Sequence, residues 1–303
     1  MSTIGLKAKA ANTSEKPGHA NPCGPQKKVS VMVNQRVKTV IEDLETTLCA
    51  FMRKHQISHS EYRAATDLII QSIKLGEESL LFDVFFEAEA SDISNNERQG
   101  SPEAIEGPFY LRGAPQLYPP YVMPQRDNEP GELLFFKGAI TDLEGNPVPE
   151  AELDLWHADA LGLYSNIHPG IPDWNLRGRF YANKQGQYEI QSILPPPYEI
   201  PKAGPTGAVL SALGRHCFRP AHLHVKVKHP AFGEMTSQLY FEGGEYLDND
   251  VASAVRDGLV AKLVYRDSAE DLAIRGLTKP YYEVIYDFVL SAVPGKTATE
   301  RTI

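Results

Sequence analysis

A helical pattern of hydrophobic positions opens the recognisable part of the chain. Apolar residues recur every three or four positions from Val33 to Phe51, which predicts a helix with one apolar face over residues 30–54. The same period continues in the segments that follow. We therefore predict a helical domain over residues 30–100.

Two further helices are predicted within this domain. Ser58 followed by Glu61 is typical of a capping box, so the second helix is expected to begin there and to stop at Gly76. The segment ESLLFDVFFEAEA at residues 78–90 predicts the third helix. Asp83 lies among the apolar positions of that helix, which makes it a candidate for a special role.

The hydrophobic period changes to two beyond residues 102–130, a connector too rich in Pro and Gly for a regular element. Strands joined by hairpins are predicted from LLFFKGAIT, AELDLWH, RGRFYA and QYEIQSI, and further strands from AHLHVKV, SQLYF and YYEVIYDFVL. A late helix is expected near Asp250, with Val251, Val255 and Leu259 on one face. The predicted fold class is α+β, with an N-terminal helical domain and an antiparallel β-sandwich over residues 101–303.

Composition and charge narrow the range of partners. The 303 residues have a formal net charge of −9 and no late run of Lys and Arg, which argues against a nucleic-acid partner held through phosphates. No segment approaches the roughly 18 consecutive apolar residues of a membrane span. Three scattered cysteines give no disulfide framework, so a reducing, cytoplasmic location is expected. Residues 1–29, with five lysines against one glutamate, are predicted to form a disordered basic arm.

Two histidines share one face of a predicted strand. In AHLHVKV, His222 and His224 point to the same side, with β-carbons about 7 Å apart, because side chains alternate along a strand. Two imidazoles at this spacing can bind one metal ion. However, Lys226 and Lys228 continue the same face, so a solvated face without any metal explains the pattern equally well.

Two loop tyrosines are candidates to complete such a site. Tyr164 follows the strand AELDLWH, and Tyr198 lies in LPPPYEIP, where three prolines restrict the backbone. A phenol has a pKa of about 10, so only a strong Lewis acid such as ferric iron holds it deprotonated at neutral pH. Two tyrosinate ligands would select against zinc. Each tyrosine alone is more typical of an apolar plug with a satisfied hydroxyl.

Six motifs in order make the chain similar to a known family. They are IEGPFYLRGAP, LDLWHADALGLYS, LRGRF, LPPPYEIPKAGPTG, LGRHCFRPAHLHVKV and TSQLYFEGGEYL. Over residues 30–292 the chain resembles the intradiol ring-cleaving dioxygenases, in the catechol 1,2-dioxygenase branch. The resemblance implies a helical dimerisation domain joined to a β-sandwich catalytic domain. It also implies a homodimer, with some relatives suggesting a lipid at the dimer interface.

The resemblance also implies the ligands and the reaction. One Fe(3+) per subunit would be held by Tyr164, Tyr198, His222 and His224, and catechol would be cleaved by O2 to cis,cis-muconate. With a hydroxide the site would be formally neutral, and it would stay neutral when a catechol dianion displaces that hydroxide and Tyr198. Arg219 would stabilise negative charge on the ring, with Gln238 close by. From the residues alone, Arg219 could equally be a surface ion-pair partner and Gln238 an ordinary strand residue.

Substrate choice depends on the predicted walls of the ring-binding site. By resemblance, these are Leu80, Asp83, Val84, Ile105, Gly107, Pro108, Phe109, Tyr110 and Val251. Apolar walls suit a flat aromatic ring, whereas Asp83 would suit an added hydroxyl. Catechol is the first expectation, and the runner-up is hydroxyquinol, giving maleylacetate, or a chlorocatechol-accepting variant. A zinc or ferrous enzyme and a non-catalytic sandwich that binds small molecules are the remaining alternatives.

Overall fold

The computed structural model describes residues 34–292, in two compact units, Met1–His59 and Ser60–Ile303. The described part of the first unit is dominated by helix α1 (Gln35–His55), which Asn34 caps by accepting a hydrogen bond from the Val37 N–H at 3.2 Å. The predicted apolar face runs along α1, and no residue of this helix is buried. The predicted basic arm and the predicted start of this helix at residue 30 lie outside the described residues.

Three α-helices follow along the chain: α2 (His59–Leu75), α3 (Glu78–Phe82) and α4 (Ala88–Asn96). Gly76 directly follows α2 with a left-handed φ of 71°, which confirms the predicted stop. Between α3 and α4 the helix widens into a π-helical turn, Asp83–Glu87. Such turns recur at functional sites because they redirect side chains. In the described part of the chain, no helix is long and apolar enough to cross a membrane.

The remainder is a β-sandwich with two added helices. In chain order the elements are β1 (Leu133–Asp142), β2 (Glu152–Trp156), β3 (Arg177–Tyr181), β4 (Gln187–Ile193), β5 (Tyr198–Glu199), α5 (Pro205–Ala212), β6 (Phe218–Arg219), β7 (His222–His229), β8 (Gly233–Phe241), β9 (Val260–Ala261), β10 (Leu263–Arg266), α6 (Ala269–Arg275), β11 (Tyr281–Ile285) and β12 (Phe288–Leu290). One sheet has the order β10-β11-β1-β12, with β4 also paired to β1, and the other has the order β3-β2-β7-β8-β9. The predicted α+β class is confirmed.

The core lies between the two sheets. Leu134 and Phe136 of β1 belong to the same buried cluster as Leu153 of β2 and Val225 of β7, and none of them is exposed to solvent. Most strand pairs are antiparallel as expected, but β1 pairs in parallel with β11 and β12, and β8 with β9. Alternation of hydrophobic residues defines the inner face of a strand but not its direction, so the sequence pattern did not reveal these parallel pairs.

The predicted late helix near Asp250 is wrong. The Asp250 carboxylate does accept hydrogen bonds from the N–H groups of Ala252 and Ala254, at 3.1 and 3.0 Å, as a helix cap would. The chain nevertheless forms only a turn, because Ser253 has a left-handed φ of 50° that stops helical propagation. The helices that do occur in this part of the chain, α5 and α6, lie at positions that the hydrophobic pattern did not indicate.

Candidate metal centre

Strand β7 brings the two predicted histidines together. His222 and His224 are each only 1% exposed, so the solvated-face interpretation is wrong. Their rings lie 4.6 Å apart, and their Nε2 atoms are separated by 3.0 Å. Two nitrogens that each lie about 2.0–2.1 Å from one metal ion at right angles would be about 3 Å apart. The observed separation therefore fits adjacent ligands of a single ion.

Both imidazoles are held in the neutral form. The pKa of His222 falls to about 3 because of burial and the nearby Arg219, and burial together with His222 places the pKa of His224 well below its usual value. The Nδ1 of His222 lies 2.7 Å from the Pro220 carbonyl oxygen and donates to it. That bond leaves a lone pair on the His222 Nε2, which is the atom a metal ion would need.

Tyr164 and Tyr198 complete the cluster of rings. Their ring centres are 5.5 Å apart, and each lies near one imidazole: Tyr164 is 6.1 Å from His224, and Tyr198 is 5.6 Å from His222. Burial raises the pKa of both phenols, so without a Lewis acid both are protonated. The Tyr164 hydroxyl is buried with no hydrogen-bond partner of normal geometry. An unpartnered buried hydroxyl is costly, and coordination to a metal ion would satisfy it.

A shaped loop carries Tyr164 to this position. The Asp159 carboxylate accepts the N–H groups of Leu161 and Leu163 at 2.9 and 3.0 Å, which folds the loop into a tight turn. Gly162 has φ 79°, and a β-carbon there would lie 2.6 Å from the β-carbon of Tyr198. Only glycine allows the two tyrosine-bearing segments to approach this closely. Sequence reasoning missed Gly162, although it stands two residues before Tyr164.

Arg219 lies beside the ring cluster, and the surface ion-pair interpretation is wrong because the residue is buried. It forms a two-point ion pair with Asp250, at 3.1 and 2.9 Å, and donates to the Tyr240 hydroxyl at 3.0 Å. Its Nη1 is 3.3 Å from the His222 Nε2. The Asp250 charge keeps the pKa of Arg219 above its usual value despite burial. Arg219 therefore presents a fixed positive charge to the cluster.

Gln238 links the cluster to the connector. Its side-chain oxygen accepts a hydrogen bond from Arg219 at 2.8 Å, and its nitrogen donates to the Ile105 carbonyl at 2.8 Å. The same nitrogen lies 3.2 Å from the His224 Nδ1. The pairing register of the sheet explains why these side chains lie together. Gln238 of β8 is paired with His224 of β7, and Trp156 of β2 is paired with His224 across the neighbouring strand boundary.

Arg177 is a buried cation that the sequence did not single out as functional. It donates to the carbonyl oxygens of Phe109 and Ser165, at 2.7 and 3.2 Å, and its guanidinium carbon lies 5.7 Å from the Tyr164 ring. No described carboxylate forms an ion pair with it, and burial lowers its pKa to about 10. Its positive charge favours negative charge on Tyr164.

A small pocket with a cavity volume of about 20 Å³ lies beside the cluster. Of the predicted wall residues, Leu80, Asp83, Val84, Ile105, Gly107, Pro108 and Phe109 line it, together with Tyr198, Arg219 and His224. Ile200 and Ala252 also line it and were not predicted. The lining side chains pack closely enough to leave room for about one water molecule.

Two predicted wall residues do not line this pocket. The Tyr110 hydroxyl donates to Asp154 at 3.2 Å, and its ring lies 4.5 Å from the Lys226 ammonium and 4.9 Å from the Trp156 ring. Val251 is buried in the apolar cluster that also contains Leu80 and Val84 of the lining, and the neighbouring Ala252 lines the pocket instead. Neither position could be resolved from residue spacing in irregular segments.

Asp83 is the one carboxylate in the lining. It is half-buried and accepts a hydrogen bond from the Ser79 hydroxyl at 2.9 Å. Burial raises its pKa, and the negative charge of Glu106 adds to this effect. A ligand group that donates a hydrogen bond would stabilise this carboxylate.

The donor set itself restricts the metal. Within residues 34–292 no group of three or more His, Cys, Asp and Glu side chains is placed to hold an ion. The nearby His157 is buried but bound to the Ala158 carbonyl and the Ser192 hydroxyl, at 2.7 and 2.6 Å. A metal in this cluster would therefore rely on the two tyrosines beside His222 and His224. Two imidazoles and two phenolates fit a strongly Lewis-acidic ion such as ferric iron.

Comparison with known proteins agrees with this cluster. Residues 105–292 match the family described as "Dioxygenase", and residues 34–101 match "Catechol dioxygenase N terminus". The chain is 40% identical over 232 residues to the chlorocatechol 1,2-dioxygenase of Rhodococcus opacus, covering 76% of this chain and 90% of that protein. The chain therefore belongs to the intradiol ring-cleaving dioxygenases, in the catechol 1,2-dioxygenase branch.

Two solved structures extend the comparison to other substrates. The catechol 1,2-dioxygenase from Acinetobacter sp. ADP1, inhibited by bound mercury, superimposes with a TM-score of 0.79 at 30% identity, covering 87% of this chain and 88% of that one. The hydroxyquinol 1,2-dioxygenase from Pseudomonas putida DLL-E4 gives a TM-score of 0.73 at 29% identity, covering 86% and 93%. Intradiol cleavage is thus common to these relatives, whereas the named substrates differ.

Proposed function

We propose that this protein cleaves catechol with O2 to cis,cis-muconate in the degradation of aromatic compounds, using one Fe(3+) per subunit held by Tyr164, Tyr198, His222 and His224. The observation that carries this proposal is the 3.0 Å approach of two neutral imidazole nitrogens beside an unpartnered phenol. Intradiol dioxygenases use non-haem iron, which agrees with this donor set.

The proposed iron, Tyr198, Arg219 and the apolar walls would each have a different role in the reaction. Bound ferric iron would supply the Lewis acidity that holds phenolates and a catecholate at neutral pH and makes the ring reactive toward O2. Tyr198 lines the pocket, which supports a role in which its phenolate oxygen would accept a proton from a substrate hydroxyl. Arg219, which also lines the pocket, favours negative charge on the bound ring. The apolar walls orient the ring and exclude water.

Substrate preference is the finer part of the proposal. Most of the lining is apolar, which suits catechol. Asp83 favours a second candidate, hydroxyquinol, because the additional hydroxyl could donate to the carboxylate. A chlorinated catechol is the third candidate, since the walls beside Leu80 and Ile105 are apolar and the R. opacus relative carries that name.

Oxygen uptake by the iron-loaded protein tests the activity. Catechol, 4-methylcatechol, chlorocatechols, hydroxyquinol and protocatechuate are supplied separately, and product absorbance is recorded. We expect catechol to be turned over fastest, and a red protein that bleaches when the iron is reduced and chelated. Faster turnover of hydroxyquinol or a chlorocatechol would reverse the ranking. A pale protein that stays inert after ferric reconstitution would contradict the proposal as a whole.

Asp83→Asn tests which substituent the pocket accepts. If Asp83 binds a substrate hydroxyl, the variant should lose about tenfold in kcat/KM for hydroxyquinol, which corresponds to about 1.4 kcal/mol, and less for catechol. Glu78→Gln changes an exposed carboxylate five residues earlier, at the start of α3, and is the matched control. Equal effects on both substrates would argue against a hydroxyquinol-binding role for Asp83.

Assembly as a homodimer in the cytoplasm is also part of the proposal. Val37, Ile41, Leu44, Leu48 and Phe51 form an exposed apolar stripe on α1, which a second copy of the chain would cover. Sedimentation should give twice the chain mass of 33.6 kDa, and a 33.6 kDa species alone would reject the dimer. A lipid at the interface would appear in a solvent extract of the purified protein by mass spectrometry.

A further inference from the structure

The π-helical turn aims a second carboxylate, Glu87, at the backbone of the pocket wall. One oxygen of Glu87 accepts the Glu106 N–H at 2.7 Å, and both oxygens lie near the Gly107 N–H, at 3.3 and 3.5 Å. Ile105 and Gly107 line the pocket. Glu87 is therefore bonded directly to the connector segment that forms one wall, although it does not itself line the pocket.

The same segment is held from the sheet side. The Gln238 side chain donates to the Ile105 carbonyl at 2.8 Å, and the Ala104 N–H donates to the Thr236 carbonyl at 3.0 Å. Residues 104–107 are thus fixed by hydrogen bonds from strand β8 on one side and from Glu87 on the other. The Glu106 carboxylate also forms an ion pair with Lys226 of β7, so the particular contribution of Glu87 is to hold the backbone N–H groups of Glu106 and Gly107.

Gly107 is the part of the wall where small movements matter most. It has φ 71°, and a β-carbon at this position would lie 3.6 Å from the His224 Cε1. The backbone therefore packs directly against the imidazole. Any shift of this backbone changes the space beside His224 that a ring can occupy.

We propose that Glu87 is a positioning residue that sets the width of the ring-binding pocket by holding the backbone of Glu106 and Gly107. The inference rests on the proposed function and identifies a determinant of its substrate selectivity. The placement is electrostatically unfavourable, because Asp83 lies one turn earlier and Glu106 is also acidic. Its hydrogen bonds to the wall provide a physical reason for a carboxylate at this position.

Three variants of the iron-loaded protein test this role. Glu87→Ala removes the acceptor of the Glu106 and Gly107 N–H groups, Glu87→Gln retains an acceptor for the Glu106 N–H, and Glu89→Ala changes an exposed glutamate nearby as the control. Equilibrium binding of 4-nitrocatechol without oxygen, followed through its visible absorption, gives Kd. Turnover of catechol and 4-methylcatechol gives KM and kcat, and elemental analysis gives the iron content.

We expect Glu87→Ala to raise the KM of catechol and the Kd of 4-nitrocatechol about tenfold, with kcat changed less than threefold and the iron content retained. The kcat/KM ratio of 4-methylcatechol to catechol should rise, because a looser wall favours the wider ring. Glu87→Gln should recover most of the loss, and Glu89→Ala should match the unmodified protein.

Two results would overturn the role of Glu87. One is a Glu87→Ala protein whose KM, Kd and substrate ratio stay within twofold of the unmodified values. The other is an equal loss of kcat on every substrate together with lost iron, which would indicate general damage to the site. If the unmodified protein takes up no oxygen with any catechol, the proposed function fails, but 4-nitrocatechol binding still reports on the wall.

Discussion

The ring cluster and the pocket wall are built in opposite ways. The cluster residues His222 and His224 stand on a central strand, are almost fully buried, and are flanked by register-matched neighbours. The wall combines a π-helical turn and an irregular connector, and several of its residues, including Asp83 and Gly107, are partly exposed. Rigid strands hold chemical groups accurately, whereas connecting segments tolerate substitution. This difference suits a family in which one type of reaction acts on differently substituted rings.

The largest expected effect comes from changing the cluster itself. Tyr164→Phe removes one of the four proposed metal ligands. Changing a residue that only supports a metal ligand typically costs about 10-fold to 100-fold in activity, so loss of a ligand should lower oxygen uptake with catechol by at least about 100-fold. The visible absorption of the ferric protein should also change. Tyr188→Phe, in a buried tyrosine bonded to the Tyr286 carbonyl, is the control. A red and fully active Tyr164→Phe protein would show that this residue is not a ligand.

The ion pair between Arg219 and Asp250, which holds Arg219 beside the ring cluster, can be tested by Asp250→Asn. Removing one partner of the buried Arg219–Asp250 pair leaves an uncompensated cation, which should lower the free energy of unfolding by about 3–5 kcal/mol at pH 7. Because Arg219 lowers the pKa of Asp250, this contribution is present above the unfolded pKa and is lost as pH falls through the folded pKa. Asp92→Asn breaks a partly exposed pair with Arg256 and should cost at most about 1 kcal/mol. Urea unfolding measures both values, and an equal loss of unfolding free energy in Asp250→Asn and Asp92→Asn would contradict the expected difference between the buried and the exposed ion pair.

Asp154→Asn is expected to increase the free energy of unfolding, in contrast to Asp250→Asn. Burial raises the pKa of Asp154 to about 6, so the native state binds more protons than the unfolded chain between about pH 4 and 6, and stability falls as pH rises through that window. The variant should therefore gain about 1–3 kcal/mol at pH 8 and nothing near pH 3.5. Urea unfolding at the two pH values measures the difference. A gain that is independent of pH would show that the ionisation of Asp154 is not its cause.

The smallest effect should come from Tyr110→Phe, which separates the wall from the residues behind it. Losing the hydrogen bond to Asp154 should lower the free energy of unfolding by about 1 kcal/mol. The KM for catechol should stay within twofold, because Tyr110 does not line the pocket. Thermal unfolding and steady-state kinetics provide the two measurements. A KM several times higher would place Tyr110 in the ring-binding wall after all.

The sequence by itself determined the broad organisation and the composition of the cluster. The change of hydrophobic period from three or four to two divided the helices from the sandwich, because side-chain periodicity follows directly from backbone geometry. Motifs and their order indicated the family and four residues, Tyr164, Tyr198, His222 and His224, that the fold brings together. The sequence near Asp250 wrongly predicted the start of a helix. A carboxylate that accepts the N–H groups two and four residues later can cap a helix or close a turn, and the sequence does not distinguish the two.

Only the tertiary structure decided which residues support and shape the site. Arg177, Asp250 and Gly162 act through neighbours far away in sequence, and no local pattern distinguishes a buried ion pair from an exposed one. The same holds for Glu87, whose partners lie 19 and 20 residues further along the chain. Strand pairing and the path of irregular segments set such contacts, because they depend on which surfaces meet after folding.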